Sequence, residues 1–554
     1  MSSKLFSLIV IAGLVTMCGQ NQSIRQEAKV FIDSLTTVLA PLNTRIEAAY
    51  WNATASGEEQ FYDQMAQLEK ERIQIYADQS IFRRIEYFRQ QQQRLEPLLQ
   101  RTIEVVYFEF QKNQADPDLL GELTELKSKT EYSFNTFRGK IDGQEVTGNY
   151  IREILKNSDD IQLRRKAWEA SKQVGALVGT NIITMAHLRN KIAQTLGYRN
   201  FYEMQLITGE QSPTEIEQIF DELERNTREP YLKAKAEIDQ FLAGRFKIAT
   251  SELMPWHYSD PFFQEAPIIT PVQLDPYYEN QDVITLSHNY FRSIGIDVDP
   301  ILKRSDLYER PKKYPHAYCT HIDREGDVRI MVNVVPNESW MSTVLHELGH
   351  AIYDVHLDMQ LPYFLRQPAH SFTTEAVAIF FEKLSKNPEW MQHVLHIQPE
   401  ALQPVRTAAA QALRFEKLIF ARWSLVMLHF EKGLYENPEQ DLNQLWWHLV
   451  EKYQMIKSPM DRHQPDWAAK IHICSYPVYY HNYQLGGLLA AQFLQSIATN
   501  GNQKVAEVRL YDDSRIGDFF IQKVFRPAAR YRWDEMIEKA TGRKLTSVDF
   551  VNQL

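Results

Sequence analysis

Cysteine is scarce in this chain of 554 residues, which contains only Cys18, Cys319 and Cys474. So few cysteines exclude a fold held together by a framework of disulfides. Cys319 and Cys474 could form one disulfide in an oxidising compartment, but their spacing does not show whether they pair.

Glycine is also scarce, at 21 residues, and the chain has no internal repeat, no Gly/Ser tract and no low-complexity run. The absence of a recognisable linker predicts one large domain over residues 19–554. Long windows are dominated by Gln, Glu, Leu, Ala and Arg, which are good helix formers. We therefore predict a mainly α fold.

A basic stripe is absent as well, and the formal net charge is −10. This charge argues against nucleic acid as a partner. The acidic balance by itself does not identify a substrate.

No apolar run has the length of a normal membrane span, and the N-terminal run from Leu5 to Met17 is too short. Because Lys4 precedes this run and Cys18 with a polar segment follows it, residues 1–18 resemble a bacterial lipoprotein signal. We expect an exported protein, in the periplasm or anchored to the membrane through a lipid on Cys18. Simple secretion stays open because Met17 is not the small residue usual before the cysteine, and a buried helix is the third alternative.

The segment His346-Glu347-Leu348-Gly349-His350 places two imidazoles one helical turn apart with a carboxylate between them. On one helix face, their Cβ atoms would be about 5–6 Å apart, so both rings could bind one Zn²⁺ ion. Glu347 would act as the general base on the water that such an ion activates. Only about 0.03 chance matches are expected from this composition, so the pattern predicts a zinc peptidase.

The surrounding residues favour a buried helix, since apolar residues flank the pattern and no proline occurs from Glu338 to Leu361. Asn337 or Ser339 would cap its start. The alternative is an ordinary helix whose two histidines form hydrogen bonds in the core.

A short β signal precedes this helix. Val328, Ile330, Val332 and Val334 alternate with more polar residues, and a turn-like cluster at 323–327 separates them from 316–322. We predict a hairpin whose free edge could pair with an extended peptide. A purely structural hairpin is equally compatible with the pattern.

The third metal ligand is predicted to be Glu375, which lies 25 residues after His350 in an apolar run. A glutamate there is costly to bury unless it is paired or bound to metal. Glu382 and Asp358 are alternatives, and Asp354 is at best an outer partner of the ligands.

Two further segments have clear local signals. Residues 408–432 show helical spacing of apolar residues, and we expect Gly433 to end that helix. The interval Pro255 to Pro276 has five prolines, so it is expected to be an ordered irregular segment or a flexible loop, and its aromatic residues favour order.

Taken together, several motifs resemble the angiotensin-converting-enzyme-like dipeptidyl carboxypeptidases. The resemblance rests on the following segments: His316-Ala317, His346 to His350, Glu375-Ala376, Lys470-Ile471-His472 and Tyr480-His481-Asn482-Tyr483. The neighbouring oligoendopeptidase family shares the zinc pentad, the distant glutamate and a late histidine–tyrosine pair. Leu188-Arg189-Asn190 fits either family.

The resemblance implies a role for each matched residue. His346, His350 and Glu375 would bind Zn²⁺, and Glu347 would be the general base. His472 and Tyr483 would stabilise the oxyanion that forms at the peptide carbonyl. Considered alone, His472 is also compatible with a core histidine, and Tyr483 with simple aromatic packing.

The resemblance also implies substrate-binding roles for four residues. Lys470 and Tyr480 would bind the free C-terminal carboxylate, while His316 and the backbone of Ala317 would hold an extended peptide. This chain departs from the family at three positions: the family's glutamine aligns with Tyr258 if Trp256 is the match, its chloride-binding arginine aligns with Asn482, and the acid one turn after the glutamate ligand is replaced by Ile379. We therefore do not predict activation by chloride.

The resemblance implies two helical halves around a deep channel, with a small antiparallel β element by the metal. The predicted activity is zinc-dependent release of dipeptides from free C-termini by a monomer that binds peptides. Two alternatives stay open: an oligoendopeptidase, and an inactive lipoprotein that only captures peptides. The intact Glu347 argues against the second, because a binding protein needs no base beside its metal.

Overall fold

Helices form most of the chain in the computed structural model, which describes residues 20–267, 269 and 273–554. Two two-stranded antiparallel sheets are the β structure of these residues. The mainly α prediction is therefore confirmed. None of the described helices combines the length and the hydropathy needed to cross a membrane.

The chain divides into two compact units, and it enters each of them three times. Unit 1 comprises the chain up to Gln114, Asp282–Thr374 and Asp512–Gly542. Unit 2 comprises Ala115–Gln281, Glu375–Tyr511 and Arg543–Leu554. The expectation of one domain over 19–554 stays a prediction.

Unit 1 contains helices on both sides of one hairpin in sequence. Its elements are α1 (Gln20–Ser56), α2 (Glu59–Tyr76), α3 (Gln79–Gln90), α4 (Pro97–Gln111), α11 (Val283–Ser293), α12 (Asp299–Arg304), β3 (Tyr318–His321), β4 (Val328–Met331), α13 (Glu338–Val355), α20 (Ser514–Phe519) and α21 (Trp533–Thr541).

Unit 2 contains the longer helices and the second hairpin. Its elements are α5 (Pro117–Thr136), β1 (Gly139–Ile141), β2 (Gln144–Val146), α6 (Gly148–Asn157), α7 (Ile161–Thr195), α8 (Phe201–Thr208), α9 (Pro213–Phe246), α10 (Asp275–Tyr278), α15 (Pro388–Val394), α16 (Gln403–Glu436), α17 (Leu442–Gln454), α18 (Ile471–Ser475), α19 (His481–Asn500) and α22 (Val548–Asn552). Helix α14 (Ser371–Glu382) begins in unit 1 and continues into unit 2.

The predicted hairpin before the zinc-pattern helix is confirmed. Strands β3 and β4 pair antiparallel, with Tyr318 opposite Met331 and His321 opposite Val328, and both strands pack against α13. The regular strand is shorter than predicted because β4 ends at Met331. Val332 instead donates its N–H to the carbonyl of Asp306 from a neighbouring segment.

The hairpin β1–β2 was not predicted, since its short strands interrupt a long run of helical pattern. Its turn is Asp142-Gly143, with φ values of 51° and 80°. An Asp-Gly pair with positive φ at both positions is the usual signature of a two-residue hairpin. The signal was therefore present in the sequence.

The expectation that Gly433 ends a helix is wrong, because α16 continues to Glu436. A Cβ added at Gly433 would lie 2.7 Å from Cδ2 of Leu445 in α17. Glycine here gives the side chain of Leu445 room to pack closely between two helices, and it does not end α16.

The proline-rich segment is irregular and ordered where the structure describes it. Arg164, which is fully buried, donates hydrogen bonds of 2.9–3.0 Å to the carbonyls of Trp256, His257 and Tyr258. Asp260 then accepts from the backbone N–H groups of the residues that follow it. These two side chains replace the backbone hydrogen bonds that the prolines prevent.

Both cysteines among the described residues are free thiols, and burial raises the pKa of each above its ordinary value. The predicted signal segment 1–18, including Cys18, lies outside the described residues.

Candidate active site

Helix α13 presents the two histidines as the spacing predicts. Asn337 caps its start by accepting a 2.8 Å hydrogen bond from the N–H of Trp340. The Nε2 atoms of His346 and His350 lie 3.2 Å apart. Two nitrogen ligands at tetrahedral positions around one zinc ion are separated by about 3.3 Å, so the rings are already arranged for a shared metal.

Glu375 completes a group of three potential ligands. One ligand atom each from His346, His350 and Glu375 lies within 4.8 Å of the others. Glu375 is the fifth residue of α14, so the group is carried by α13 and the N-terminal half of α14. Two imidazoles and one carboxylate are a donor set that catalytic zinc sites use, and the residues therefore fit this metal.

The alternative ligands do not belong to this group. Asp358 instead forms an ion pair of 3.1 Å with Arg530. Asp354 lies one turn after His350, and burial raises the pKa of its carboxyl to about 7. Neither of them, nor Glu382, is part of the three-residue cluster found in the described chain.

Thr374 is a partner of the metal group that sequence reasoning missed. Its Oγ1 lies 2.8 Å from Nδ1 of His350. A hydrogen bond at the outer nitrogen fixes the ring orientation and leaves Nε2 for the metal. The position of Thr374 directly before Glu375 was the available signal. Thr374 gives His350 the hydrogen bond that the apolar side chain of Ile379 cannot give.

We expect Thr374→Val to lower zinc affinity by about 10- to 100-fold, the usual effect of losing such a partner of a ligating histidine. The matched control is Thr343→Val on α13, because that hydroxyl donates only to the carbonyl of Ser339 in its own helix. Competition for zinc with a chelator of known affinity measures the effect. Equal affinities of the two variants would contradict a supporting role for Thr374.

Glu347 lies on α13 between the two histidines and is 7 % exposed. It directly follows His346 in the helix, which is the sequence position predicted for the general base.

His316 and Ala317 directly precede β3, and His316 is exposed. The outer edge of β4 is occupied, because residues 305–307 form hydrogen bonds with it. Within the described ranges, β4 is the one segment bonded through its backbone to β3. The free edge predicted for the hairpin is therefore that of β3.

In unit 2, His472 on α18 and Tyr483 on α19 lie near each other, with ring centroids 6.4 Å apart. Burial lowers the pKa of His472 to about 4, and burial raises the pKa of Tyr483 to about 12. At neutral pH the imidazole is uncharged and the phenol keeps its proton. Each group can then donate one hydrogen bond without carrying charge.

Tyr483 and Glu375 lie in the wall of the same cavity in unit 2. The negative charge of Glu375 is one of the causes that raise the pKa of Tyr483. One turn after Tyr483, a Cβ added at Gly486 would lie 3.2 Å from Cγ of Glu375. Helix α19 therefore packs tightly against the predicted third ligand.

Lys470 is buried and pairs with a residue that the sequence did not indicate. Its Nζ donates a 2.6 Å hydrogen bond to Oε1 of Gln264. The same ammonium lies 5.1 Å from the ring centroid of Tyr480 and 5.3 Å from that of Trp423. Burial lowers its pKa to about 8, so the ammonium is still charged at neutral pH.

Gln264, and not Tyr258, is thus the residue beside Lys470. The hydroxyl of Tyr258 is occupied elsewhere, since it donates to Asp239 and accepts from Lys235. Gln264 is 206 positions from Lys470, and no local pattern marks it. The sequence analysis predicted irregular structure for the proline-rich segment that contains Gln264, but no function for it.

Comparison with known proteins supports a peptidase. Residues 154–546, which contain α13, α14 and α19, match the profile of Peptidase family M3. The chain is 22% identical to an angiotensin-converting enzyme of Theromyzon tessulatum over 436 residues, which cover 72% of this chain and 69% of that protein.

Two mammalian relatives show similar identity over different lengths. One is an angiotensin-converting enzyme of Rattus norvegicus, 22% identical over 292 residues, which are 50% of this chain and 22% of the relative. The other is the angiotensin-converting enzyme-like protein Ace3 of Mus musculus, 21% identical over 425 residues, which are 71% and 57% of the two chains. The chain thus spans about a fifth of the length of the rat relative.

Proposed function

Because the chain belongs to peptidase family M3, we propose that it is a zinc-dependent peptidase that releases dipeptides from the free C-termini of short peptides. The observation that carries the proposal is the group of His346, His350 and Glu375 with Glu347 between the two histidines. A pure peptide-binding protein would have no use for a carboxylate at that position.

His346, His350 and Glu375 would hold the metal. When bound, zinc supplies Lewis acidity that makes water a nucleophile near pH 7. Glu347 accepts the proton of that water and later donates it to the amine that leaves. The proton therefore moves from water to the new N-terminus through one carboxylate.

His472 and Tyr483 donate hydrogen bonds to the oxyanion that develops at the attacked carbonyl. Both groups suit this role because each is neutral at pH 7 and keeps an N–H or O–H. Donors of this kind are worth about 10²- to 10³-fold in kcat.

Lys470, Gln264 and Tyr480 bind the free C-terminal carboxylate of the substrate. A buried ammonium with a pKa near 8 favours an anionic partner, because the anion offsets the cost of burial. His316 and the backbone of Ala317 hold the peptide in extended form along β3.

Oligoendopeptidase cleavage is the second candidate, and the match to Peptidase family M3 favours it. The contact between Lys470 and Gln264 favours dipeptide release instead, since an endopeptidase has no terminal carboxylate to bind. We further propose that the protein is exported, with Cys18 as a lipid anchor.

One peptide prepared as the free acid and as the C-terminal amide separates these candidates by mass spectrometry. We expect cleavage two residues from the free end only. We also expect Lys470→Met to lower kcat/KM for the free acid by about 10- to 100-fold, because a charged hydrogen bond is lost.

The matched control is Lys457→Met, because the ammonium of Lys457 is exposed and donates only to the carbonyl of Ser251. Equal cleavage of acid and amide by the wild-type protein would favour the endopeptidase. The absence of cleavage across a broad peptide library by zinc-loaded protein would favour peptide capture.

A further inference from the structure

Unit 2 contains a cavity of about 1010 Å³ that extends to residues of the proposed active site. Glu375, Tyr483 and Gln264 lie in its wall. A peptide would therefore place side chains in this cavity if Tyr483 binds its attacked carbonyl and Gln264 binds its C-terminal carboxylate.

Charged side chains of both signs line the cavity, but most of them already have partners. Glu375 is the proposed metal ligand. Four further charges of the wall are held in three ion pairs: Lys156 with Glu265 at 3.4 Å, Arg245 with Asp159 at 2.7 Å, and Glu416 with Lys386 at 3.8 Å.

Two lysines of the wall, Lys383 and Lys417, have no such partner. Within the described chain, no carboxylate lies within ion-pair distance of either ammonium. Lys383 follows the end of α14, and Lys417 lies on α16; both are half-buried. The hydrogen bond of Lys417 is to the carbonyl of Gln553, at 3.1 Å.

Burial makes both ammonium groups costly to keep charged, and the carboxylates of Glu382 and Glu416, which lie beyond ion-pair distance, offset only part of this cost at Lys383. Burial lowers the pKa of Lys417 to about 7, and the nearby charge of Lys383 lowers it further. Burial likewise lowers the pKa of Lys383. Two like charges in one cavity wall are costly unless an opposite charge comes between them.

We propose that Lys383 and Lys417 form a cationic subsite that selects peptides with an Asp or Glu side chain in the released dipeptide. This inference rests on the proposed function, because it assigns the cavity to the substrate. A carboxylate of the peptide would accept hydrogen bonds from both ammonium groups while its main chain is held near Tyr483 and Gln264.

The test compares peptides that differ only in Glu against Gln at each of the last two positions, using the full-length, zinc-loaded protein. We expect kcat/KM to be about 10- to 100-fold higher for the acidic peptide at one of these positions. The double variant Lys383→Met/Lys417→Met should reduce that ratio to about one. In Lys417→Glu, kcat/KM should be higher for a peptide with lysine at that position than for the peptide with glutamate.

Lys432→Met is the matched control, since Lys432 lies on the same helix α16 as Lys417 but pairs with Glu217 at 2.7 Å and is not part of the cavity wall. The ratio of kcat/KM for the Glu peptide to kcat/KM for the Gln peptide should be the same in this variant as in the wild type. Thermal unfolding of every variant reports whether the lysines only support the fold. A double variant that is destabilised but keeps the wild-type ratio would overturn the subsite.

Binding of the free dipeptides to the Glu347→Gln protein, measured by calorimetry, separates the two proposals. Selective binding of the acidic dipeptide without any peptide cleavage by the wild type would support the subsite and contradict the peptidase. Cleavage with equal rates for Glu and Gln peptides would support the peptidase and contradict the subsite.

Discussion

Replacing Glu347 with glutamine is expected to lower kcat by about 10²- to 10⁴-fold while zinc stays bound, the range typical for loss of a general base. Glutamine keeps the size of the side chain but cannot accept a proton from water. His346, His350 and Glu375 are unchanged in this variant, so the metal ligands remain. Stopped-time peptide hydrolysis and zinc analysis of the same sample measure both quantities.

The matched control for this prediction is Glu338→Gln in the first turn of the same helix α13. It removes an equal charge about 13 Å along the helix from Glu347, at 1.5 Å per residue. Unchanged turnover in Glu347→Gln would remove the base assignment. A loss of turnover that is matched by a loss of zinc would show a structural role instead.

The parts of this site that the sequence predicts are those set by local geometry. The spacing of His346 and His350 determines their common face on α13, and Asn337 marks where that helix begins. The alternation around Val328 and Ile330 predicts β4 because side chains on a strand point alternately to its two faces. Glu375 was found because its carboxylate interrupts an apolar run.

The parts that were missed depend on contacts between distant segments. Gln264 reaches Lys470 across 206 positions, and the segment that carries it is shaped by Arg164 and Asp260. Neither Arg164 nor Asp260 forms a recognisable sequence motif with Gln264. Gly433 shows the same limit, because the side chain that packs closely against it is Leu445 on the next helix.

Charge in the cavity of unit 2 illustrates a further limit. Lys383 and Lys417 are 34 positions apart in a chain with many surface lysines, and composition cannot distinguish them from those. What distinguishes them is that both line one cavity while no carboxylate of the described chain lies within ion-pair distance, and only the folded arrangement shows this. Specificity is therefore less predictable from this sequence than catalytic chemistry.

Replacing Glu375 with alanine is expected to abolish measurable peptide hydrolysis because zinc binding is lost at the concentrations of an assay. Loss of an outer partner of a ligand already costs about 10- to 100-fold in affinity, and loss of a direct ligand should cost more. Equilibrium dialysis against zinc buffers measures the affinity, and excess zinc should restore only part of the activity.

Glu382→Ala is the matched control, because Glu382 lies on the same helix α14 and lines the same cavity but is outside the metal group. It should bind zinc as the wild type does. If instead Glu382→Ala loses zinc and Glu375→Ala keeps it, the ligand assignment is wrong, and with it the claim that α13 and the start of α14 together form the metal centre. Full zinc binding by both variants would show that the two histidines hold the ion with some other acid, and the cavity around Glu375 would then lose its link to catalysis.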